Sequence, residues 1–280
     1  MRRLLLPLAI LAAILAALGL AWAALQGVDA DGERVSAQPL PVGEFRHVEV
    51  SGHADVVLVQ GATEAVIVEA SPRRHARVRV RSQGGTLKIS AGEDARWWAD
   101  LFGGSARPAR ITIRFRDIES LTLSGALRVT ADGVKAAGLV VRASGAASVR
   151  MEGIDAATLR FVGSGAVKAE MAGRAAEQVV SISGAGAYRA ARLDSERADV
   201  KVSGAGKVVV NAARSLDASI SGAGAIDYHG NPQVRQRISG AGRIRQVSGA
   251  DARQRAVVMP AVPDAPELSE IPMRQAASPA

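Results

Sequence analysis

Apolar and polar residues alternate along most of this chain, in short segments that lead to and from the tripeptide Ser-Gly-Ala. In one such segment, Val200, Lys201 and Val202 lead to Ser203, and the alternation resumes after the tripeptide at Val208. A period of two residues is typical of a β-strand that buries one face. Because glycine adopts backbone conformations that other residues avoid, each Ser-Gly-Ala is predicted to form a corner between two strands.

The tripeptide recurs at a nearly constant spacing. It begins at Ser124, Ser144, Ser164, Ser183, Ser203, Ser221 and Ser239. Successive serines are 18 to 20 residues apart, and a repeat of this length indicates a solenoid in which each repeat forms one coil. Each coil has room for two or three short strands, and equivalent strands of neighbouring coils are predicted to pair in parallel. The pattern therefore predicts an all-β, parallel β-helix-like solenoid with coils of about 18–20 residues.

The N-terminal part of the predicted solenoid is less regular. Strand-like segments occupy residues 45–50, 55–60, 65–70, 77–82, 86–90 and 110–116. Residues 51–54 read Ser-Gly-His-Ala, which resembles the later corners, so we predict that the solenoid begins here with longer, irregular coils. Residues 95–108 interrupt the alternation and carry Trp97, Trp98 and Phe102. These aromatic residues indicate either an insertion that covers the open core or a binding loop for sugar rings or a partner protein.

The N-terminus has the composition of an export signal. Arg2 and Arg3 precede an apolar run over residues 4–25, and residues 21–23 read Ala-Trp-Ala, a small-residue cleavage pattern. Residues 1–23 are predicted to be a signal peptide. The alternative is an uncleaved membrane anchor, because the apolar run is long enough to span a bilayer. Both interpretations predict export to the periplasm or cell surface, and an anchor would tether the protein to the inner membrane.

The remaining boundaries follow from changes in composition. Residues 24–41 are predicted to be a linker, residues 42–250 the solenoid domain, and residues 251–280 a disordered tail rich in Pro, Ala, Gln and Arg. The chain has 280 residues, no cysteine and only 3% aromatic residues. Its core must therefore consist of Val, Ile, Leu and Ala, which argues against a bulky ligand cavity, and it has no disulfide framework.

Motifs that carry catalytic or metal chemistry are absent from the sequence. Residues 203–207 read Ser-Gly-Ala-Gly-Lys, but a phosphate-binding loop requires glycine in place of Lys201 and Ser or Thr in place of Val208. The histidines lack metal-ligand spacing, and His53 and Asp55 share only a strand face. We therefore predict no catalytic residue, no cofactor and no metal site.

Two features bear on an enzymatic alternative, and the second leaves it open. A nucleophile is one residue beside a base, whereas the corner serine recurs in every coil, so these serines are predicted to be structural and to satisfy the backbone of the turns. β-Helix enzymes that act on acidic polysaccharides use clustered acidic and basic residues on neighbouring coils. Asp199, Lys201 and Asp217 would form such a cluster on an outward face.

A basic stripe is predicted on the strand that follows each corner. The outward positions there are the fourth and sixth residues after each corner serine, and they carry Arg128, Arg150, Lys168, Arg189, Lys207, Arg243 and Arg245. Neighbouring coils are predicted to place such side chains about 4.8 Å apart, where like charges repel. The stripe is a candidate site for an extended anionic polymer or lipid headgroups, although solvated arginines also protect a β-surface from aggregation.

Several segments resemble the head GIN domain family. They are residues 48–61 (VEVSGHADVVLVQG), residues 66–70 (VIVEA) and residues 86–89 (TLKI), followed by the serial Ser-Gly-Ala-Gly. The resemblance covers residues 42–249, and members are described as auto-transporter adhesin head domains of bacterial envelopes. It implies a right-handed parallel β-helix-like fold and an exported location, and it implies no catalytic residues.

Together these observations predict an exported bacterial envelope protein that acts as a non-enzymatic adhesion or interaction module. A polysaccharide-active β-helix enzyme and a membrane-tethered envelope sensor are the alternatives. The expected partner is an envelope component, an anionic glycan or lipid surface, or another protein, and no nucleic acid is expected despite the formal net charge of +8. The sequence leaves the oligomeric state open.

Overall fold

The fold is built from β-strands. The computed structural model describes residues 36–40, 42–70, 77–92 and 108–247. Its strands are β1 (Ser36–Leu40), β2 (His47–Gln60), β3 (Ala65–Ala70), β4 (Val78–Gln83), β5 (Thr86–Ala91), β6 (Ala109–Phe115), β7 (Ser120–Asp132), β8 (Lys135–Gly145), β9 (Ser148–Gly165), β10 (Lys168–Gly184), β11 (Ala187–Asp194), β12 (Arg197–Gly204), β13 (Lys207–Asn211), β14 (Ser215–Gly222), β15 (Ala225–His229), β16 (Gln233–Ser239) and β17 (Arg243–Gln246). No helix in these ranges is long and apolar enough to span a membrane.

Two parallel ladders run along the solenoid, one on each side of the corner. The first face contains the strand segments that precede the corners, and the second face contains those that follow them. The register on the first face aligns one serine from each coil in a single row: Ser90, Ser51, Ser124, Ser144, Ser164, Ser183, Ser203, Ser221 and Ser239. The predicted β-solenoid is therefore confirmed, with one Ser-Gly-Ala corner in each regular coil.

A short third face closes the central coils. Here β8, β9, β10 and β11 pair so that Lys135, Asp155, Arg174 and Asp194 lie next to one another in one row. The sign of the charge alternates along this row, so neighbouring side chains carry opposite charges rather than like charges. This alternation favours the register, because opposite charges on neighbouring strands attract.

The N-terminal strands depart from the predicted parallel pairing. β2 lies between β7 and a layer formed by β5 and β6, although both of the latter follow it in sequence. β3 is antiparallel to β6, β1 is antiparallel to β3, and β4 is antiparallel to β5. A tight hairpin at Gly84 and Gly85, both with positive φ, reverses the chain between β4 and β5. β1 also lies within the predicted linker over residues 24–41, so the sheet begins inside that segment.

Small aliphatic side chains form the core, as the alternation predicts. Val200 and Val202 before a corner and Val208 after it are at most 2% exposed. The two largest aromatic side chains of the central coils, Phe161 and Tyr188, pack with ring centroids 5.2 Å apart. Burial raises the pKa of Tyr188. The core thus fills the space between the faces with layers of side chains from successive coils.

A polar residue occupies one of the inward-facing positions, which the alternation did not predict. Gln178 occupies the inward row between Leu159 and Ala198 and is fully buried. Its Nε2 donates hydrogen bonds to Ser195 Oγ at 2.6 Å and to the carbonyl oxygen of Asn211 at 3.0 Å. These bonds satisfy the amide, since a buried polar group without partners would destabilise the fold.

The corners bring backbones of neighbouring coils into close contact. Gly204 has a φ of +112°, and a Cβ atom at this position would lie 2.7 Å from the carbonyl oxygen of Gly184. The amide of Ala205 donates a hydrogen bond to that same oxygen at 3.0 Å. Equivalent bonds join most of the other corners, so the turn backbone is satisfied by the neighbouring coil. Glycine is required here both by the positive φ and by the lack of space.

Candidate functional site

The row of corner serines is exposed and chemically uniform. Within the described ranges, hydroxyl hydrogen bonds in this row are confined to Ser144, which donates to the carbonyl oxygen of Leu123 at 3.2 Å, and to the pair Ser51 and Ser90 at 3.1 Å. The prediction that these serines satisfy the turn backbone is therefore wrong for most of them, because the backbone of the neighbouring coil performs that role. No described base lies in hydrogen-bond contact with a corner serine.

A serine and a histidine do meet elsewhere on the first face. His47 Nδ1 lies 2.9 Å from Ser120 Oγ, on neighbouring strands β2 and β7. In the part of the chain that the structure describes, no carboxylate hydrogen-bonds the other ring nitrogen of His47. An activated serine needs a base that is itself oriented by a third group, so this pair lacks the arrangement of a hydrolase. No local sequence pattern indicates this pair, because its two members are 73 residues apart in the chain.

A polar cleft of about 380 Å³ lies beside this pair, near the Gly84–Gly85 hairpin. Arg116 crosses it and forms ion pairs with Glu44 at 2.7 Å and Glu64 at 3.3 Å. Hydrogen bonds to these two carboxylates raise the pKa of Arg116. Arg116 is thus paired with two of the carboxylates that line the cleft, and this arrangement matches no acid–base or nucleophilic pair.

The candidate polysaccharide-cleaving cluster forms ordinary surface ion pairs. Lys201 Nζ lies 3.4 Å from Asp199, and Arg235 lies 4.0 Å from Asp217. The four side chains are 41% to 81% exposed. Among the described residues, no group of three or more His, Asp or Glu side chains could hold a metal ion.

The predicted basic stripe lies on the second face and consists of two columns. The left column contains the fourth residue after each corner serine, in the order Arg128, Ser148, Lys168, Ala187, Lys207, Ala225 and Arg243. The right column contains the sixth residue, in the order Thr130, Arg150, Glu170, Arg189, Val209, Asp227 and Arg245. We call these two columns together the cation stripe.

The cation stripe avoids the repulsion expected from the sequence. No two basic residues are neighbours in either column, because a small or acidic residue always separates them. The expected contact between like charges about 4.8 Å apart is therefore wrong. The period of the repeat determines which residues share a column. The residue type at each position determines the charge, and basic residues alternate with uncharged or acidic ones.

Glu170 is the centre of the largest ion-pair cluster in the cation stripe. Its carboxylate lies 2.7 Å from Arg150, 3.2 Å from Lys168 and 3.2 Å from Arg189. The hydrogen bond from Lys168 is the main cause that lowers the pKa of Glu170, so this side chain is ionised at neutral pH. The three cations remain 53% to 59% exposed, so their other donors face solvent.

Two further carboxylates lie at the ends of the cation stripe. Asp227 is outward-facing, yet its side chain is only 6% exposed, because Arg245 covers it at 2.7 Å and Lys207 lies 4.0 Å away. Asp55 lies 3.6 Å from Arg128 at the other end. The sequence predicted the outward direction of Asp227 but not its burial, which depends on the side chain of the next coil.

Several predicted features lie outside the described residues. These are the aromatic residues Trp97, Trp98 and Phe102, the predicted signal peptide or anchor, and the tail over residues 251–280. The strands that flank the aromatic segment are described. β5 ends at Ala91, next to the corner glycine Gly52, and β6 begins on the second face at Ala109.

Comparison with known proteins identifies a family. A family model described as "Putative auto-transporter adhesin, head GIN domain" matches residues 44–232. No curated protein sequence matches this chain.

Solved structures share the fold. A putative adhesin from Bacteroides fragilis superposes with a TM-score of 0.70 at 19% identity, covering 76% of this chain and 97% of its own. A putative lipid binding protein from Parabacteroides distasonis gives a TM-score of 0.57 at 19% identity, covering 78% and 98%. A putative adhesin from Parabacteroides merdae gives 0.56 at 20% identity, covering 79% and 99%. At these identities the likeness concerns the fold alone.

Proposed function

Because this chain belongs to the head GIN domain family, we propose that it is an exported, non-enzymatic adhesion or interaction module of the bacterial envelope. The family description and the putative adhesins that share its fold support an adhesion-type role. The apolar run over residues 4–25 supports export, as a cleaved signal over residues 1–23 or as a retained anchor. A retained anchor would make the protein a membrane-tethered module with the same binding surface.

The observation that carries the proposal is the cation stripe. Seven of its fourteen positions are basic and two are acidic, which leaves a net charge of 7 − 2 = +5. The stripe follows the axis through seven coils, so its length is about six spacings of about 4.8 Å, or roughly 29 Å. Parallel ladders hold the Cα atoms of these residues in fixed positions. A linear array of fixed positive charge attracts a linear anion and aligns it before contact.

A linear anionic glycan fits this surface better than a bilayer. The stripe is a narrow row two residues wide, so its shape matches a single extended polymer that lies along it and contacts its cations one after another. Trp97, Trp98 and Phe102 are proposed as a second contact, since aromatic rings suit the apolar faces of sugars. The putative lipid binding protein with the same fold makes anionic lipid the alternative that the experiment must separate.

The arrangement of charged groups supports a non-enzymatic role. Asp199, Lys201 and Asp217 form exposed ion pairs, and Arg116 forms ion pairs with two carboxylates of the cleft. A catalytic step needs an acid, base or nucleophile that its neighbours activate. These clusters hold their charged groups against one another, whereas the cation stripe offers binding without a reactive group.

The proposal predicts that binding depends on where charge is removed, not only on how much. The variant R150Q/R189Q/K207Q removes three charges from the cation stripe. The control R142Q/R160Q/R237Q removes three exposed charges from the first face. In equilibrium titrations with dextran sulfate at low salt, we expect the stripe variant to bind about tenfold more weakly, which corresponds to about 1.4 kcal/mol. The control should change by less than about threefold, since its charges act only at long range.

Two outcomes would contradict this proposal. Equal losses in the stripe variant and the control would mean that net charge alone drives binding. Binding of the wild type to phosphatidylglycerol vesicles but not to dextran sulfate would assign the surface to lipid. Both variants should keep a melting temperature close to that of the wild type, because Glu170 retains Lys168 and Asp227 retains Arg245 as partners.

A further inference from the structure

We propose that the cation stripe selects a flat, β-1,4-linked polyuronate, in which one carboxylate on each sugar projects alternately to the two edges of the chain. This inference rests on the proposed function, since it names the class of anionic glycan that the same surface would bind. The inference depends on which column each basic residue of the cation stripe occupies, not on how many basic residues the stripe contains.

The cations of five consecutive coils alternate between the columns. Arg128 lies in the left column, Arg150 in the right, Lys168 in the left, Arg189 in the right and Lys207 in the left. Each of these coils contributes one cation, and the opposite column of the same coil carries no second cation. The backbone positions of the cations therefore form a zigzag with one basic residue per coil.

The dimensions of this zigzag are set by the sheet. Successive coils are about 4.8 Å apart, and two residues along a strand separate the columns by roughly 6.6 Å. The Cα atoms of cations in the same column are therefore about 9.6 Å apart, twice the coil spacing, while the side chains of Arg150, Lys168 and Arg189 lean toward Glu170 in the absence of ligand. A polyuronate with diequatorial β-1,4 linkages is a flat two-fold ribbon, and one sugar in it is about as long as one coil spacing. Its carboxylates alternate between the edges with the same zigzag.

The residues between the cations favour this ligand over other anions. Ser148 and Ala187 occupy the left column in the coils where the cation lies on the right, so no bulky side chain blocks the sugar ring. Glu170 occupies the right column in the coil where Lys168 lies on the left. A ribbon with alternating carboxylates places none opposite Glu170, whereas a continuous row of charge along the right column would meet this carboxylate and be repelled.

The cations are accessible to such a ribbon. The side chain of Arg128 is 69% exposed, that of Arg150 59% and that of Lys207 55%. Arg150 and Arg189 use part of their guanidinium groups on Glu170, and each retains further N–H donors for a second carboxylate. The zigzag ends at Asp227, which occupies the right column where the next cation would lie. The matching segment thus spans five coils and would hold about five sugars.

The test moves cations across the strand while keeping their number and their coil. The variant S148R/R150S/A187R/R189A shifts two positive charges from the right column to the left, so the zigzag becomes a straight row of equal net charge. The probes are β-1,4-linked mannuronate hexamer, which is a flat ribbon, and α-1,4-linked galacturonate hexamer, whose diaxial linkages twist the chain. Dextran sulfate serves as a polyanion without this geometry. Binding is measured by titration at low salt.

We expect the wild type to bind the mannuronate hexamer at least tenfold more tightly than the galacturonate hexamer. The shifted variant should lose this preference and keep its affinity for dextran sulfate within about threefold. That last measurement shows that the variant still binds anions, and an unchanged melting temperature shows that it is folded. If the wild type binds both hexamers equally, or if the shifted variant keeps the preference, the inference is wrong while the proposed function stands. If the wild type binds neither hexamer nor dextran sulfate, both are wrong.

Discussion

Replacing Gly204 by valine should lower the free energy of unfolding by about 3 kcal/mol or more, measured by chemical denaturation. Two causes act together. A Cβ atom would lie 2.7 Å from the carbonyl oxygen of Gly184, closer than van der Waals contact allows, and the φ of +112° is unfavourable for a β-branched residue. Relief of the clash would separate the two coils and break the hydrogen bond from Ala205 to Gly184.

Two controls isolate the cause. Gly138→Ala introduces a side chain at a glycine with no atom near its Cβ and without the positive φ, so it should change stability by less than about 1 kcal/mol. Ser203→Ala removes an exposed hydroxyl of the same corner that has no hydrogen-bond partner among the described residues, and it should change stability by at most about 0.5 kcal/mol. Similar effects of Gly204→Val and Ser203→Ala would contradict the close approach of coils at the corner.

The second large effect is expected in the core. Phe161→Ala should destabilise the protein by about 3–5 kcal/mol, because it removes a fully buried ring and its contact with Tyr188 at 5.2 Å. The rigid ladders on both sides keep the cavity from collapsing. The matched control is Val162→Ala in the next position, which points outward and should cost less than about 1 kcal/mol. Comparable losses at the two positions would show that the inward and outward rows are assigned incorrectly.

The regular coils were predictable because the repeat marks equivalent positions. Once Ser203 and Ser221 are known to be equivalent, their neighbours must share columns, and the inward rows follow from the period of two. Of the strands before Ser124, the predicted segment over residues 65–70 coincides with β3. The segments over residues 45–50 and 55–60 proved to be parts of one strand, β2, which bends at the positive φ of Gly52.

The order of the N-terminal layers could not be predicted from the repeat. Ser90 joins the serine row, but Ala91 and Gly92 follow it in place of Gly-Ala, so the tripeptide does not reveal this corner. A repeat also carries no information on the order of strands that are not stacked in sequence order. β2, for example, lies between β5 and β7. The corner at Ser90 and the position of β2 are both determined by the pairing of strands that are distant in the chain.

The ion-pair partners and the burial of charged residues in the cation stripe could not be predicted, for a related reason. The sequence placed Arg150 and Asp227 correctly on the outward side of their strands. Their partners, however, come from neighbouring coils: Glu170 for Arg150, and Arg245 for Asp227. Charge pairing and burial at these positions depend on which coils are neighbours and on how far each side chain reaches, and neither is encoded by the local pattern.

The salt dependence of binding to dextran sulfate by the wild-type protein tests the central claim most directly. The Debye length is about 10 Å at 0.1 M salt and about 3 Å at 1 M. The backbone positions of successive cations in one column are about 9.6 Å apart. If the cation stripe binds linear anions, affinity should fall steadily from low salt and vanish near 1 M, and the dependence should be flatter in R150Q/R189Q/K207Q. Binding that is independent of salt, or no binding at low salt, would contradict the account.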